Sequence, residues 1–368
     1  MRIEYLDGLR GIAALIVVFI HYCLLFHPFI PKALYVAGFE VCIFFVLSAF
    51  VLSYRFWQTQ NTGSLTSSSL RRYVRLTVAP LVSILVAYIL LEISLYHHEE
   101  VSKILGSSAI FAHYFQLTPS LSDAIYESFW GMYFSYSTPT SYNPVLWTMS
   151  WELKGSILTA AFLALFGKVR NRLPLYIILI IISIDTLYPT FIFGVMLSDL
   201  MYSDEGKKWR EILQKQKLLA TIALIVGSFL GLYMWNSNSI LNLYGAMDLD
   251  FLAQNKINHE KFYHMISAGL ITYAILHLET LQKILSWKIL TKIGEYSFSL
   301  YLIHLQVVFS VGTFVFLEIY NRGYDMTTCI LFGSLSAILV TIPAVILLHR
   351  YVDMPAAKLA KRVQKFFE

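Results

Sequence analysis

An arginine and a histidine stand eleven positions apart in the first apolar run of the chain, Tyr5 to Phe26, which reads YLDGLRGIAALIVVFIHYCLLF. On an α-helix eleven steps of about 100° close three turns and overshoot by roughly 20°. Arg10 and His21 therefore share one helix face, roughly 16 Å apart along the axis. That separation rules out a contact pair: either the two residues mark two ends of one site or they are unrelated. A guanidinium suits anion recognition, and an imidazole suits proton transfer near neutral pH.

Ionisable groups inside apolar runs cost about 2.5–3.5 kcal/mol each at mid-membrane, so the few present are functional suspects. They are His21, Glu152 and Lys154, Asp185, Asp199 and His304. His21 falls roughly 8–9 Å below the far end of its run, and Glu152 roughly 10 Å below the start of its own. The expectation is that the two meet, the carboxylate orienting the imidazole for general-base work; a structural clamp between two helices is the competing reading. Arg10 reads either as a topological anchor paired with Asp7 or as one end of a site. Arg71, Arg72 and Arg75 begin the third run and carry the same ambiguity. Beside Arg10 and Arg55 they form a cluster able to hold a polyphosphate. Ser297, Tyr301 and His304 recur at i, i+4 and i+7, forming a polar stripe that serves either the site or inter-helix hydrogen bonding. Asp185 and Asp199 lie near helix ends and read as structural. His97-His98-Glu99-Glu100 reads as a solvated loop rather than a metal site, because adjacent residues do not converge on one helix face.

The elements that position these residues follow from composition. The 368 residues are 57% hydrophobic and only 14% charged, with a mean hydropathy of +0.62. Soluble domains carry about 25% charged residues, so the chain reads as all-α, a polytopic transmembrane bundle. Ten segments look able to cross: Leu9–Phe26, Leu34–Tyr54, Leu76–Tyr96, Val145–Phe166, Leu173–Leu187, Thr190–Tyr202, Leu218–Trp235, Phe262–Leu278, Gly294–Tyr320 and Thr327–Leu348. The fifth and sixth are short, with a turn or kink expected at Tyr188-Pro189. With a cytoplasmic N-terminus, roughly four in five of the 28 Lys and Arg fall on the cytoplasmic side, and the C-terminus is cytoplasmic too. The net charge of +5 is thereby assigned to membrane orientation and not to nucleic acid. The external piece His97 to Asn143 contains the aromatic stretch Ile104–Tyr136, read as a lid or re-entrant pair, with two more crossings, twelve in all, as the alternative. Asn236 to Lys261 is a second external loop. Residues 1–354 form the membrane domain, and Pro355 to Glu368 form a short basic surface helix. The first run lacks a cleavage signal and is expected to stay as a span. Cys23, Cys42 and Cys329 read as small hydrophobes.

Six motifs, in this order, resemble the integral-membrane acyltransferase family 3. They are YLDGLRGIAALIVVFIHY, GFEVCIFFVLSAFVLSYRF, LRRYVRLTVAP, NPVLWTMSWEL, IGEYSFSLYLIH and YVDMPAAKLAKR. Ala49 in FFVLSAF departs from the family's common glycine. The resemblance implies a cytoplasmic acyl-CoA donor, usually acetyl-CoA, and a hydroxyl acceptor that is often a glycan sugar across the membrane. It implies that Arg10 and His21 are the signature pair and that Arg72, Arg75 and Glu152 take part. The expected roles are catalysis at His21, Glu152 and Arg10 and donor binding at Arg10, Arg71, Arg72 and Arg75. Ser297, Tyr301, His304 and Trp147 are supporting candidates. Acyl-CoA is a co-substrate; no permanent cofactor, metal or nucleic acid is expected. The rival reading is a proton-coupled transporter using the same His and Glu set, against which stand the arginine cluster and the lack of an internal repeat.

Overall fold

The computed structural model describes residues 3–26, 38–107, 111–212, 216–232, 252 and 257–366, and these are helical with no strand among them. The main helices are α1 (Glu4–Phe26), α2 (Phe39–Thr59), α3 (Gly63–Glu92), α4 (His98–Leu105), α5 (Leu121–Tyr126), α6 (Trp147–Phe166) and α7 (Leu173–Ile182). They continue with α8 (Tyr188–Tyr202), α9 (Asp204–Ile212), α10 (Gln216–Gly231), α11 (His259–His277), α12 (Lys288–Val307), α13 (Met326–Leu348) and α14 (Met354–Phe366).

Six described segments are long and apolar enough to cross a bilayer: Glu4–Phe26, Phe39–Thr59, Ser67–Glu92, Pro144–Phe166, Lys288–Asn321 and Met326–Phe366. Treating Asp204–Glu211 and Gln216–Gly231 as one bent span makes seven. The other expected crossings correspond to α7, α8, α10 and α11. At 1.5 Å per residue, the 15 residues of α8 and the 16 of α10 fall short of a hydrocarbon core of about 30 Å. The break between the fifth and sixth segments lies at Ser183–Leu187, and Pro189 sits in the first turn of α8, where its missing N–H costs nothing.

The stretch Ile104–Tyr136 contains only short helices; its longest run joins α5 to a π turn at Glu127–Gly131 and to Met132–Phe134. Among the described residues of that stretch none is long enough to cross, so the twelve-span alternative finds no spanning helix there. The second expected loop lies mostly outside the described residues. The basic tail is a helix, α14, continuous with α13 through a π turn at His349–Asp353. Cys23, Cys42 and Cys329 are all buried and free, as expected of small hydrophobes.

Two glycine contacts fix the pairing that matters most. A Cβ on Gly294 of α12 would lie 1.9 Å from the Asp7 carbonyl oxygen, and one on Gly11 of α1 would lie 2.6 Å from the Leu290 oxygen. These helices therefore meet backbone to backbone, a packing that membrane helices achieve with small residues. Among the described residues the apolar interior divides into two large clusters and a small one around Leu230 and Tyr263. One large cluster gathers Tyr22, Phe26, Tyr133, Tyr142 and Phe309, the other Phe45, Phe50, Phe56 and Phe191.

Candidate active site

A cavity of about 180 Å³ lies at the seam of the two clusters. Leu76, Met149 and Tyr301 come to it from the first, and Val41, Phe45 and Leu47 from the second. Its charged wall is Arg10 of α1, Arg72 and Arg75 of α3 and Glu152 of α6. Arg10 sits 3.9 Å from Asp7 and within electrostatic reach of Arg72, Arg75 and Glu152. Three guanidinium groups against the carboxylates of Glu152 and Asp7 leave a positive excess, which suits an anionic ligand.

Glu152 does not orient His21. Its Oε1 lies 2.8 Å from Arg72 Nη2 and accepts a 2.6 Å hydrogen bond from Ser48 Oγ. Arg72 also donates to Ser156 Oγ at 2.9 Å and to Ser48 Oγ. The expected pairing fails because depth along two helices says nothing about their rotation. In this packing a permanently charged fork stands opposite the carboxylate and takes its oxygen. Ser48 was missed by sequence reasoning. Its signal was a lone hydroxyl in the apolar run FFVLSAF.

His21 meets His304 of α12 instead, the supporting candidate in the polar stripe. His304 Nε2 lies 3.2 Å from His21 Nδ1, with ring centroids 5.0 Å apart. His21 Nδ1 is also 2.9 Å from the Val17 carbonyl, and His304 Nδ1 is 3.1 Å from the Leu300 carbonyl. A carbonyl only accepts, so each imidazole carries its proton on Nδ1 when neutral. The one proton on His21 Nδ1 is then shared between the Val17 carbonyl and His304 Nε2, and the lone pair on His21 Nε2 is left as a base.

Tyr301 links the two halves. It lines the cavity, and its ring centroid lies 6.1 Å from that of the fully buried His304. Its hydroxyl donates to the Val145 carbonyl at 2.5 Å and lies 2.9 Å from Thr148 Oγ1. The turn before α6 is held in the same way: Asn143 Nδ2 donates to Ser83 Oγ at 2.7 Å and to the Leu302 carbonyl at 2.9 Å. Buried polar groups satisfied like this fix one arrangement of α3, α6 and α12. Ser297 also lines the cavity, its hydroxyl donating to the Gly294 carbonyl at 2.8 Å.

Two candidates lie elsewhere. Arg71 donates to Gln364 of α14 at 3.0 Å and is not part of the cavity wall, because neighbouring residues on a helix point about 100° apart. Trp147 packs against the second apolar cluster and does not line the cavity. Asp199 is structural as expected: both its oxygens take Arg172 at 2.7 Å, and Tyr176 donates to it at 2.8 Å.

Beyond His304 the helix passes into a π turn, Val308–Gly312, a distortion that recurs at functional sites. Its Phe309 carbonyl accepts the His97 N–H at 3.0 Å. The Phe309 ring is enclosed by Tyr96, His98, Phe111, Tyr114 and Phe115. The expectation of a solvated His97–Glu100 loop is corrected here. Glu99 and Glu100 are exposed, but His98 is buried against Phe309 at a 4.7 Å centroid distance. Burial among these rings lowers its pKa from 6.5 to about 4. In the adjoining segment Glu127 is buried, accepting from Ser141 Oγ at 2.5 Å and the Tyr142 N–H at 2.9 Å. Desolvation nevertheless raises its pKa from 4.5 to about 7.

The family model described as an acyltransferase domain, acyltransferase family 3, matches residues 3–349. Acyltransferase clz18 of Cochliobolus lunatus is 23% identical, covering 89% of this chain and 81% of its own length. Acyltransferase R4 of Phoma sp. (strain ATCC 20986 / MF5453) is 22% identical, covering 91% of this chain and 82% of its own. No solved structure matches the chain. The family match takes in every helix that lines the arginine cavity and both members of the histidine pair, and on its extent the chain belongs to the membrane acyltransferase family 3.

Proposed function

We propose that this acyltransferase moves an acyl group, acetyl by preference, from cytoplasmic acyl-CoA to a hydroxyl of an acceptor, a cell-surface polysaccharide sugar in the first instance. In this reading α7, α8, α10 and α11 complete a ten-span bundle in the cell's inner or plasma membrane, with both termini cytoplasmic. The observation that carries it is the division of chemistry along α1: a guanidinium cluster around Arg10, and an imidazole with a free Nε2 at His21, roughly 16 Å further on.

Arg10, Arg72 and Arg75 hold the phosphates of the donor, and Glu152 and Ser48 hold Arg72 in place. At about 180 Å³ the cavity is below the usual range of roughly 300–1,000 Å³ for whole-ligand pockets, so it accepts part of the donor. The pantetheine arm follows the Arg10–His21 face and brings the thioester to the histidine. His21 Nε2 takes the proton of the acceptor hydroxyl as its oxygen attacks the thioester carbonyl. The C–S bond then breaks, and the departing thiolate recovers the proton. His304 is a positioning residue, its Nε2 accepting the His21 Nδ1–H and steadying the imidazolium as it forms. Transfer is direct, without an acyl-histidine.

The test is mass spectrometry of surface glycans from cells lacking the gene and complemented with wild type or His21→Ala. An acetyl increment present only with wild type supports the reading, and an unchanged profile in all strains removes polysaccharide as acceptor. Labelled acetyl trapped on the protein without acceptor, and lost in His21→Ala, would overturn direct transfer. A melting point unmoved by saturating CoA would remove the proposed donor, because a ligand that binds the folded state raises it.

A further inference from the structure

A second cavity, of about 390 Å³, shares no lining residue with the first. Its wall is hydrocarbon: Phe193, Met196, Leu197 and Leu200 of α8 and Ile266 and Leu270 of α11. Its polar floor is the Arg172, Asp199 and Tyr176 group, whose charges and hydrogen bonds are already spent on one another. Its mouth is different. Arg170, 88% exposed, has its Nε 3.8 Å from Glu205 Oε1, and Lys208 Nζ lies 2.9 Å from the same oxygen. Two cations thus share one carboxylate, with exposed Lys207 on the same short helix, α9. Trp209 of α9 is 44% exposed and reaches the cavity wall.

We propose that this cavity binds one acyl chain of an anionic phospholipid, with the phosphate-bearing headgroup at Arg170 and Lys208. The volume lies within the range of small-molecule sites. A wall of rings, branched chains and a thioether is stabilised by burying hydrocarbon, and it offers the amides of a pantetheine nothing to pair with. Around Glu205 the cations Arg170 and Lys208 leave one positive charge uncompensated, Lys207 and Asp204 of the same helix offsetting each other, and such an excess selects for negative charge, as basic pockets between membrane helices do. A tryptophan beside lysines marks the depth at which headgroups lie.

The full-length protein in mild detergent is offered equimolar phosphatidylglycerol and phosphatidylcholine with matched chains, and retained lipid is counted by native mass spectrometry. One phosphatidylglycerol per chain is expected, retained at least fivefold over phosphatidylcholine. Arg170→Ala with Lys208→Ala brings that preference to within twofold. Glu205→Gln releases both cations and raises it, and Leu270→Trp fills the cavity and loses both lipids. Arg170 and Lys208 are exposed and Glu205→Gln keeps the side chain's shape, so the lipid-free melting points of both charge variants should match wild type. Equal retention of the two lipids by wild type, or a preference that survives in the double variant, overturns the proposal.

Discussion

His304 Nε2 stands 3.2 Å from His21 Nδ1, and the pair joins helices whose residues are 283 positions apart in the chain. The carbonyls of Val17 and Leu300 set both tautomers, so the arrangement has a direction: the His21 Nδ1–H is shared between Val17 and His304 Nε2, and His21 Nε2 keeps its lone pair as the base. His21→Ala is expected to lower kcat by about 10²–10⁴, the usual contribution of general acid–base catalysis. His304→Phe keeps the ring volume and removes the acceptor. It should lower kcat by roughly tenfold or more while the KM for acyl-CoA stays within twofold. Steady-state acetyl transfer with varied donor measures both, and a fall confined to KM would assign His304 to donor binding.

The Arg72–Glu152 pair lies inside the bundle, its side chains 21% and 13% exposed. Removing one partner strands a charge. Arg72→Ala should destabilise by about 3 kcal/mol, toward the low end for a broken buried pair because some solvent remains. Arg72→Ala combined with Glu152→Ala should cost less than the sum of the single variants. Unfolding of the purified protein and its three variants gives the coupling directly, and additivity would show that the contact contributes nothing.

Donor binding separates the arginines. Arg10→Ala and Arg75→Ala should each weaken CoA by about tenfold or more, since a hydrogen bond to a charged group is worth about 1.5–3 kcal/mol. Arg71→Ala should leave affinity within twofold, because Arg71 reaches Gln364 instead. Isothermal titration of the three variants makes the comparison.

Backbone approach is itself testable. Gly11→Ala removes no functional group, yet its Cβ would sit 2.6 Å from the Leu290 carbonyl oxygen. The helices must separate, and overpacking of this kind costs about 1–3 kcal/mol. Activity should fall with the melting point, because the His21–His304 contact depends on the same helix pair.

Two buried groups outside the spans give opposite pH signatures. Glu127 has a folded pKa raised to about 7 from 4.5. Its contribution to stability is fully present below pH 4.5 and is lost as pH rises through about 7. His98 has a folded pKa lowered to about 4 from 6.5. Its contribution is present above pH 6.5 and is lost as pH falls through about 4. Between pH 4.5 and 6.5 the two partly offset in wild type. Glu127→Gln should therefore make the melting point rise more steeply with pH across that window, and His98→Phe should make it fall. Thermal scans at half-unit intervals read the slopes.

Much of the candidate site was legible in the sequence. A chain 14% charged with repeated apolar runs has to be a helical membrane bundle, because only helices or closed barrels satisfy their backbones in lipid. Local periodicity put Arg71, Arg72 and Arg75 on one side of a helix start, of which Arg72 and Arg75 line the cavity and Arg71 does not, and it put Ser297, Tyr301 and His304 in one stripe, because that relation is set within a single helix. The crossing count was less legible. A window of apolar residues sees composition but not where a helix stops, and α8 and α10 stop early. His98 was misread for a related reason: a histidine beside two glutamates looks solvated until Phe309, more than 200 residues later, encloses it.

By itself the sequence determined the class of protein, its family, and the roughly 16 Å that separate Arg10 from His21, since a helix has only one rise per residue. Which side chain His21 would meet depended on tertiary structure. Glu152 and His304 lie on different helices, and the choice between them rests on how α6 and α12 are rotated and how closely each approaches. Gly11 and Gly294 let α12 reach the backbone of α1, bringing His304 to His21, while α3 turns Arg72 onto Glu152. Contacts of that kind belong to the packed bundle and to no single segment of it.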